Sequence, residues 1–494
     1  MAEDTLLPNL SWLNSSEAEA IASSLATSFN IGINLVGIEK TGKGKDIVKG
    51  VAFADARAQS DATALANSKD GFVAFAFAGA DAVSDTSAFA IGLNNRSKLK
   101  TGRGRDVVRG IAFANSLADA SASATATAVS DFGLAVSIAN SRAVAVANAF
   151  SVGIHNAHRA VIKTKAGGDV ISGRAFANAS ASAVSETTAF VAGVLASSQA
   201  AVSTIDVSTA ITVLGISNHG LLKTGIGGDL VKGVAIGSGA AWAETATAVA
   251  LAIADAASEA NATARASATV STVSIGINNS GAGGKNGSIS TGKGHDKLVG
   301  IGIADSASAI AAASARAQAI GQSSTGSAIT FTQVKAAPTK GIGINNIDGL
   351  ISLGAGKDTL EAYGHTHGLV GGSVSLGDGD DILHAGIIKK HTARGKVKAF
   401  SKTKTGALDS VKISGGKGND QFIFHSVFGN NVSLDGGADF DELYLPGKLS
   451  KYAITAGSIG NQTLTIARNG LSMTVENIEQ FHVGNQTVSF NDLV

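Results

Sequence analysis

A ten-residue motif, T-G-x-G-x-D-x-V-x-G, recurs about every sixty residues through much of this 494-residue chain. Its clear copies span 41–50, 101–110, 224–233 and 291–300, with a degraded copy at 164–173 and a shortened one around 354–360. The motif aspartates lie 60, 63, 60, 67 and 62 residues apart, at Asp46, Asp106, Asp169, Asp229, Asp296 and Asp358. Such a period is typical of proteins that stack one unit on the next, so it constrains the architecture more than chain length does.

Alanine occupies nearly every second position in the long runs between motifs. In 112–128 the alanines share one parity, and Asn, Ser, Thr, Leu and Phe fill most of the other. Alanine is the best helix former, yet this spacing would spread it around the whole circumference of a helix. In a strand the same spacing puts every alanine on one face, and the interleaved residues also suit strands. We therefore predict extended strands with an alanine face.

Each unit ends in a short signature of the I-G-I-N type, which we interpret as a buried strand followed by an Asn-capped turn. The signature occupies 31–34, 91–94, 152–155, 214–217, 275–278 and 342–345. We predict an all-β fold, a repetitive β-solenoid of stacked, β-roll-like units of about sixty residues with a carboxy-terminal β capping region. The predicted regions are an amino-terminal cap (1–30), an alanine-rich repeat region (31–335), a glycine–aspartate β-roll region (336–435) and a carboxy-terminal cap (436–494).

Composition narrows the function classes. The net charge of +1 gives no general attraction to nucleic acid, and the absence of cysteine excludes disulfides and thiolate metal sites. We predict no membrane span, because the longest uncharged stretch is rich in Ser and Thr. No familiar catalytic motif is present, so we predict that the protein is not an enzyme. The pair His365 and His367 has no third metal ligand nearby in sequence, and we expect a solvated loop there.

The glycine–aspartate motif is a candidate calcium site. Its glycines permit a tight turn with inward-pointing carbonyl groups, and its aspartate supplies hard anionic oxygen. Well-formed carboxy-terminal copies lie at 376–383, 415–423 and 436–443. The predicted calcium-site residues are Asp378, Asp380, Asp381, Gly416, Gly418, Asp420, Asp439 and Asp441. The amino-terminal copies carry basic neighbours that disfavour calcium and favour a structural turn, namely Lys43, Lys45, Arg103, Arg105, Lys165 and Lys293.

Residues 415–494 resemble the carboxy-terminal end of secreted RTX (repeats-in-toxin) proteins. A final glycine–aspartate turn is followed by segments in the RTX order, at 443–447, 451–455, 463–466, 475–481 and 486–494. The alanine-rich units also resemble repeat regions of cyanobacterial RTX-like surface proteins. The resemblance implies calcium-dependent folding outside the cell and export by type I secretion machinery that reads an uncleaved carboxy-terminal signal. The first residues lack the layout of a cleaved signal peptide, in agreement with that route.

These observations predict a secreted, non-enzymatic structural protein of the cell surface, in a surface layer or fibril, with Ca²⁺ as cofactor. The expected partners are further copies of the chain and the type I secretion machinery, with no nucleic acid. Motif copies sixty residues apart face one another only if whole units stack in register. One alternative is a binding module, an adhesin or an ice-binding surface formed by the Ser/Thr face. A further alternative is a secreted enzyme with an RTX tail.

Overall fold

Parallel strands stack layer upon layer through the chain. The computed structural model describes residues 13–69, 71–280, 287–305, 308–336, 339–392, 395–457 and 462–494. In this part of the chain the only helical segments are two 3₁₀ turns, Leu449–Lys451 and Phe490–Asp492. The strands form one 20-stranded and one 12-stranded sheet. The predicted all-β solenoid is confirmed, and the alanine tracts are strands.

Up to residue 336, successive three-residue strands are separated by one or two long strands. The strands are β1 (Leu13–Leu35), β2 (Ile38–Lys40), β3 (Ile47–Lys69), β4 (Val73–Asn95), β5 (Lys98–Lys100), β6 (Val107–Val129), β7 (Leu134–Asn156), β8 (Val161–Lys163), β9 (Val170–Asn218), β10 (Leu221–Lys223), β11 (Leu230–Asn278), β12 (Ser288–Ser290), β13 (Lys297–Ala304), β14 (Ser308–Ile320) and β15 (Ser323–Ala336).

Shorter strands follow. They are β16 (Lys340–Asn345), β17 (Leu350–Ala355), β18 (Thr359–Gly364), β19 (His367–Val370), β20 (Ser373–Asp378), β21 (Ile382–His391), β22 (Val397–Phe400), β23 (Leu408–Asp409), β24 (Lys412–Lys417), β25 (Gln421–Phe424), β26 (Val432–Ala438), β27 (Glu442–Leu445), β28 (Ala453–Ala456), β29 (Leu464–Arg468), β30 (Leu471–Glu476), β31 (Gln480–Val483) and β32 (Gln486–Ser489).

One repeat forms one coil with three walls. The first long strand of each coil pairs with the first long strand of the next, as β3 does with β6 and β6 with β9. The second long strands pair in the same way, as β1 does with β4 and β4 with β7. The three-residue strands stack into the third wall. Pairing is parallel and in register, so equivalent residues of successive repeats lie directly beside one another.

Alanine fills the space between the two long walls. We call this two-walled part the alanine wing; it comprises the described residues of 13–30, 52–90, 112–149, 175–213, 235–270 and 308–336. In the inner coils its inward residues are mostly alanine and are buried completely or nearly so, as Ala74 and Ala112 illustrate. The alternating burial of β3 and β6 follows the sequence alternation residue by residue. The period-two pattern therefore specifies which face is inside.

Larger apolar side chains fill the three-walled part, which we call the body. Each complete coil sends one such residue inward from each wall, for example Val108, Ile154 and Ile162, then Ile171, Ile216 and Leu222. The body continues after the wing ends, with coils whose motif aspartates are only 23, 39 and 21 residues apart. The longest of these coils contains an antiparallel hairpin formed by β21 and β22.

Two rows of glycine separate the wing from the body. One row is the glycine of the I-G-I-N signature, and the other is the last glycine of the ten-residue motif. At this neck the backbones of the two walls touch. A Cβ on Gly110 would lie 1.9 Å from the Gly153 carbonyl oxygen, and one on Gly92 would lie 2.3 Å from the Ile111 nitrogen. No larger residue fits there, which explains why both signatures contain glycine.

The first and last described segments of the chain both join this stack. Residues 13–30, inside the predicted amino-terminal cap, belong to β1 and pair with β4, while residues 1–12 lie outside the described part. At the other end, β28 to β30 form an antiparallel sheet whose last strand extends the third wall. Met473, Phe481 and Phe490 are buried against the final coil. The carboxy-terminal segment thus covers the end of the body.

The neck glycines yield a stability prediction. We expect Gly110→Ala to reduce the free energy of unfolding by about 3 kcal/mol or more, because the new methyl group overlaps backbone that has no room to move. Gly79→Ala is the matched control, since its Cβ would meet only side-chain atoms at 3.5 Å or more. Chemical denaturation followed by circular dichroism measures both. Equal stability of the two variants would contradict the close backbone contact at the neck.

Candidate metal centre

The motif aspartates form one continuous ladder along the body. The backbone N–H of each aspartate donates to the carboxylate Oδ1 of the aspartate in the next coil, at 2.7–3.0 Å. The last donor, Asp441, binds Glu479 of the carboxy-terminal cap at 2.7 Å. Stacking in register thus unites copies that are far apart in sequence, as calcium binding between copies requires. The ladder residues are Asp46, Asp106, Asp169, Asp229, Asp296, Asp358, Asp381, Asp420 and Asp441.

The second carboxylate oxygen of each ladder aspartate has no hydrogen-bond partner among the described residues. These Oδ2 atoms are buried, and the aspartates from Asp106 to Asp441 expose at most 1% of their surface. A buried unpaired carboxylate oxygen is costly, and a proton or a bound cation removes the cost. The ladder is therefore a row of sites for positive charge.

The turns that carry the ladder differ between the two halves of the chain. In the amino-terminal copies a threonine stands five residues before the aspartate, as Thr224 does before Asp229. The last two copies have glycine there instead. A Cβ on Gly415 would lie only 2.2 Å from Asp420 Oδ2 and from the Gly436 carbonyl oxygen. In the last two turns the backbone thus lies too close to the free carboxylate oxygen for any side chain at this position.

Backbone conformation also differs between the two halves, and the change begins two copies before the glycine substitution. In the amino-terminal copies only the second glycine of the turn has a positive φ, as at Gly104 (145°). From residue 354 onward both do, as at Gly416 (119°) and Gly418 (115°). Asp439 has a φ of 86° at the position where the other copies place glycine. The carboxy-terminal turns are thus a distinct group with two left-handed residues each.

Burial raises the pKa of the ladder carboxyls from Asp169 to Asp441, most of all in the carboxy-terminal coils. It raises the pKa of Asp420 to about 8, against the lowering effect of the Asp381 amide and with repulsion from neighbouring carboxylates. Burial likewise raises the pKa of Asp441 to about 7 and that of Asp381 to about 6. Burial raises the pKa of Asp229 to about 6, and the Asp169 amide and the Thr224 hydroxyl oppose it.

The predicted calcium ligands divide into a buried and an exposed group. Asp381, Asp420 and Asp441 are buried in the ladder. Asp378, Asp380 and Asp439 lie near the surface of the turns, where they bind other groups. Lys417 pairs with Asp378 at 3.5 Å and Lys357 with Asp380 at 3.1 Å. The Gly418 N–H donates to Asp439 at 3.0 Å.

The basic residues of the amino-terminal copies do not form ion pairs with the ladder. Lys43, Lys45, Arg103 and Lys293 are exposed or half-exposed, and no salt bridge within the described residues joins them to a ladder aspartate. Two groups oppose the raised pKa of Asp169, first the Asp106 backbone amide and then the hydroxyl of the turn threonine, Thr164. Thr164 Oγ1 and Asp169 Oδ2 nevertheless form no hydrogen bond of strict geometry.

Two parts of this arrangement were not predicted from the sequence. Glu479 ends the ladder by accepting the Asp441 N–H. The sequence feature that could have indicated it is an acidic residue in the segment after the last motif. A second ladder of buried asparagine amides also runs through the body, each Nδ2 donating to the next Oδ1 at 2.7 Å. Its members are Asn95, Asn156, Asn218, Asn279 and Asn346. The ladder asparagines directly follow the predicted signatures, so the position after each signature forms an asparagine stack between coils.

The expected solvated loop at the histidine pair was wrong. His365 and His367 are half-buried. Burial lowers the pKa of both imidazoles. His365 Nδ1 lies 2.6 Å from the carbonyl oxygen of Ala304, one coil away. Because a carbonyl oxygen only accepts, His365 donates this bond through Nδ1–H.

Comparison with known proteins adds no identification. No protein-family model, curated protein or solved structure matches the chain. Among the described residues no helix has the length and apolar character needed to cross a membrane.

The raised pKa values predict how stability depends on pH without metal. Their folded-state values of about 6 to 8 exceed the ordinary aspartate value of 3.8. The folded protein therefore binds more protons than the unfolded chain, and stability falls as pH rises through that range. We expect the melting temperature in chelator to decrease from about pH 5 to about pH 9. A melting temperature that rises over this range would contradict protonation of the ladder.

Proposed function

We propose that this protein is a secreted, non-enzymatic structural protein of the cell surface whose carboxy-terminal coils are ordered by calcium. The observation that carries the proposal is the aspartate ladder with one unpaired, buried carboxylate oxygen in each coil. Because carboxylates and backbone carbonyl groups are the ligands that Ca²⁺ prefers, this donor set fits calcium. The resemblance of residues 415–494 to RTX proteins supports the same ion independently.

Calcium suits the carboxy-terminal coils better than the amino-terminal ones. Asp381, Asp420 and Asp441 would hold it, together with backbone carbonyl groups of the glycine turns. Around Asp420 and Asp441 the turn position that holds threonine in the amino-terminal copies is glycine, so no side-chain hydroxyl at this position competes for Oδ2. When bound, calcium would supply the positive charge that the protonated ladder otherwise obtains from hydrogen ions. Its binding to the folded form alone would couple extracellular calcium to folding.

A structural role agrees with how the wing ends. Within the described residues, β1 and β3 each have a strand neighbour on one side only, as do β14 and β15. The alanines of β1 and β14 are only partly buried, whereas those of the inner coils are buried. A further strand at either edge would complete both the hydrogen bonds and the alanine packing. We therefore propose that copies of the chain associate through the wing edges into fibrils or a surface layer.

The Ser/Thr face gives little support to an ice-binding surface. Such a surface needs rows of threonine at constant spacing along the stack. In register with Thr125 lie Leu65 and Thr188, and in register with Thr127 lie Asn67 and Phe190. The outer face of the wing instead carries stacked phenylalanine rings, such as Phe53 on Phe113 at 4.8 Å. The outer face of the wing therefore fits a structural protein better than an ice-binding one.

Export and location follow from the RTX resemblance. We propose that type I secretion machinery recognises the carboxy-terminal region and that the chain works outside the cell, where calcium is abundant. The raised pKa values of the ladder support incomplete ordering of these coils before calcium is met.

Calcium dependence can be tested with one ladder residue from each half of the chain. In Asp420→Asn the amide oxygen still accepts the Asp381 N–H, but the charge is lost. We expect this variant to melt above the wild type in chelator at pH 8. We also expect it to lose much of the calcium gain, which is about 2.7 kcal/mol at a hundred times the dissociation constant. Differential scanning calorimetry with and without calcium measures both effects.

Asp106→Asn is the matched control, because Asp106 has the same ladder contact in an amino-terminal copy. Its calcium gain should equal that of the wild type. A wild-type melting temperature that ignores calcium would contradict the calcium proposal. An equal loss of the calcium gain in Asp106→Asn and Asp420→Asn would contradict the assignment of the ion to the carboxy-terminal coils.

Edge association is tested separately. Ile21 in β1 and Phe331 in β15 expose 78% and 55% of their surface on the two outermost wing strands. We expect Ile21→Lys combined with Phe331→Lys to abolish large assemblies, because charge on edge strands prevents further pairing. Phe132→Lys is the control, since Phe132 is 79% exposed at a turn in the interior of the stack. Light scattering and electron microscopy that show wild-type monomers in calcium would exclude assembly through the edges.

A further inference from the structure

Three side chains from successive coils meet where the wing ends. Strands β13, β18 and β21 are parallel neighbours in the same wall. Asp305 directly follows β13, His365 directly follows β18, and His391 is the last residue of β21. Because the carboxyl ends of parallel strands point to the same edge, these side chains converge. One ligand atom from each residue lies within 4.8 Å of the other two.

Backbone carbonyl groups fix both imidazole rings. His365 Nδ1 lies 2.6 Å from the Ala304 carbonyl oxygen, and His391 Nδ1 lies 3.0 Å from the Thr392 carbonyl oxygen. A carbonyl oxygen only accepts, so each Nδ1 carries a hydrogen. In a neutral ring Nε2 then presents a lone pair. Histidines that bind metals are held by backbone carbonyl groups in the same way.

The Nε2 atoms of the two rings indicate a missing positive charge. His391 Nε2 lies 2.9 Å from the Asp305 carboxylate. With Nδ1–H already donated to Thr392, a neutral His391 ring would place a lone pair against an anionic oxygen. His365 Nε2 has no hydrogen-bond partner among the described residues, and the two rings are 5.3 Å apart. A cation shared by the three side chains satisfies all of these atoms.

We propose that Asp305, His365 and His391 form a binding site for a divalent transition metal of the zinc type. Two imidazole nitrogens and one carboxylate oxygen are a ligand set that suits Zn²⁺ and not Ca²⁺. Three protein ligands leave a fourth tetrahedral position for water. That position is supplied from an open cavity of about 1030 Å³, which the three residues line together with Thr366, Lys389 and Lys404.

The site would act as a cross-link between coils. Asp305 lies between β13 and β14, at the base of the last long strand of the wing. His365 and His391 belong to the next two coils, which have no long strands. Metal binding would thus tie the final wing coil to the body at the step where the wing stops. The site shares no residue with the aspartate ladder, so it is independent of the calcium proposal.

Zinc titration of the full chain tests this proposal. Isothermal titration calorimetry in calcium-containing buffer should show one high-affinity Zn²⁺ per chain. His365→Ala and His391→Ala should each weaken zinc binding by about a hundredfold or more. Mutation of a residue that only hydrogen-bonds to a metal ligand already lowers metal affinity by about 10–100-fold. His384→Ala is the control, because His384 is another half-buried histidine that contacts His425 instead. It should bind zinc as the wild type does.

A second measurement covers variants that lose stability. Asp305→Asn keeps the shape of the side chain but removes its charge, and we expect it to bind zinc more weakly while folding normally by circular dichroism. Co²⁺ in place of zinc should give the intense visible absorption of a tetrahedral site in the wild type and lose it in Asp305→Asn. Wild type that binds no zinc, or zinc binding unchanged in His365→Ala, would overturn the proposal and leave a charged His391–Asp305 pair.

Discussion

Parallel pairing in register is the constraint on which every other feature depends. It places each residue beside the equivalent residue of the next repeat, about 4.8 Å away. Such stacking favours residues that interact well with copies of themselves. Asparagine amides form a hydrogen-bonded row, and phenylalanine rings stack with centroids 4.6–5.0 Å apart. Aspartates stack less readily, because the negative charges of neighbouring coils repel one another. The N–H of one coil satisfies Oδ1 of the next, and Oδ2 is left for a proton or a cation.

The alanine wing follows from the same constraint. Two long sheets face each other over nearly their full width, and small side chains let them approach closely. Each alanine removes little apolar area from water, so stability accumulates over many coils. The neck glycines allow direct backbone contact at the point where wing and body meet, as between Gly110 and Gly153. Small residues in both places therefore serve one purpose, the close approach of neighbouring backbones.

Much of the fold was accessible from sequence because it is periodic. The spacing of Asp46 and Asp106 gave the coil, and the alternation of alanine gave strands and their inner face. The partners of individual polar groups were harder to predict, since they lie in other coils. Lys43 and Lys45 were the obvious sequence neighbours for Asp46, yet its carboxylate has no ion pair with either.

The candidate sites show the same limit. Asp381, Asp420 and Asp441 follow from the motif, but only register shows that they form one ladder. Glu479 continues that ladder from a segment without the motif. Asp305, His365 and His391 were inaccessible for a different reason. They are 60 and 26 residues apart, and their approach depends on a change of coil length where the wing ends.

Spin labelling tests the central claim, stacking in register, most directly. The chain has no cysteine, so pairs of introduced cysteines can be labelled without background. Thr63 and Ser123 are register partners on the outer face of β3 and β6. Labels at these two positions should show the strong dipolar broadening of neighbours on adjacent strands. Labels at Thr63 and Val129, which are out of register on the same outer face, should show much weaker broadening. Equal or absent broadening in the two pairs would contradict the stacked coils.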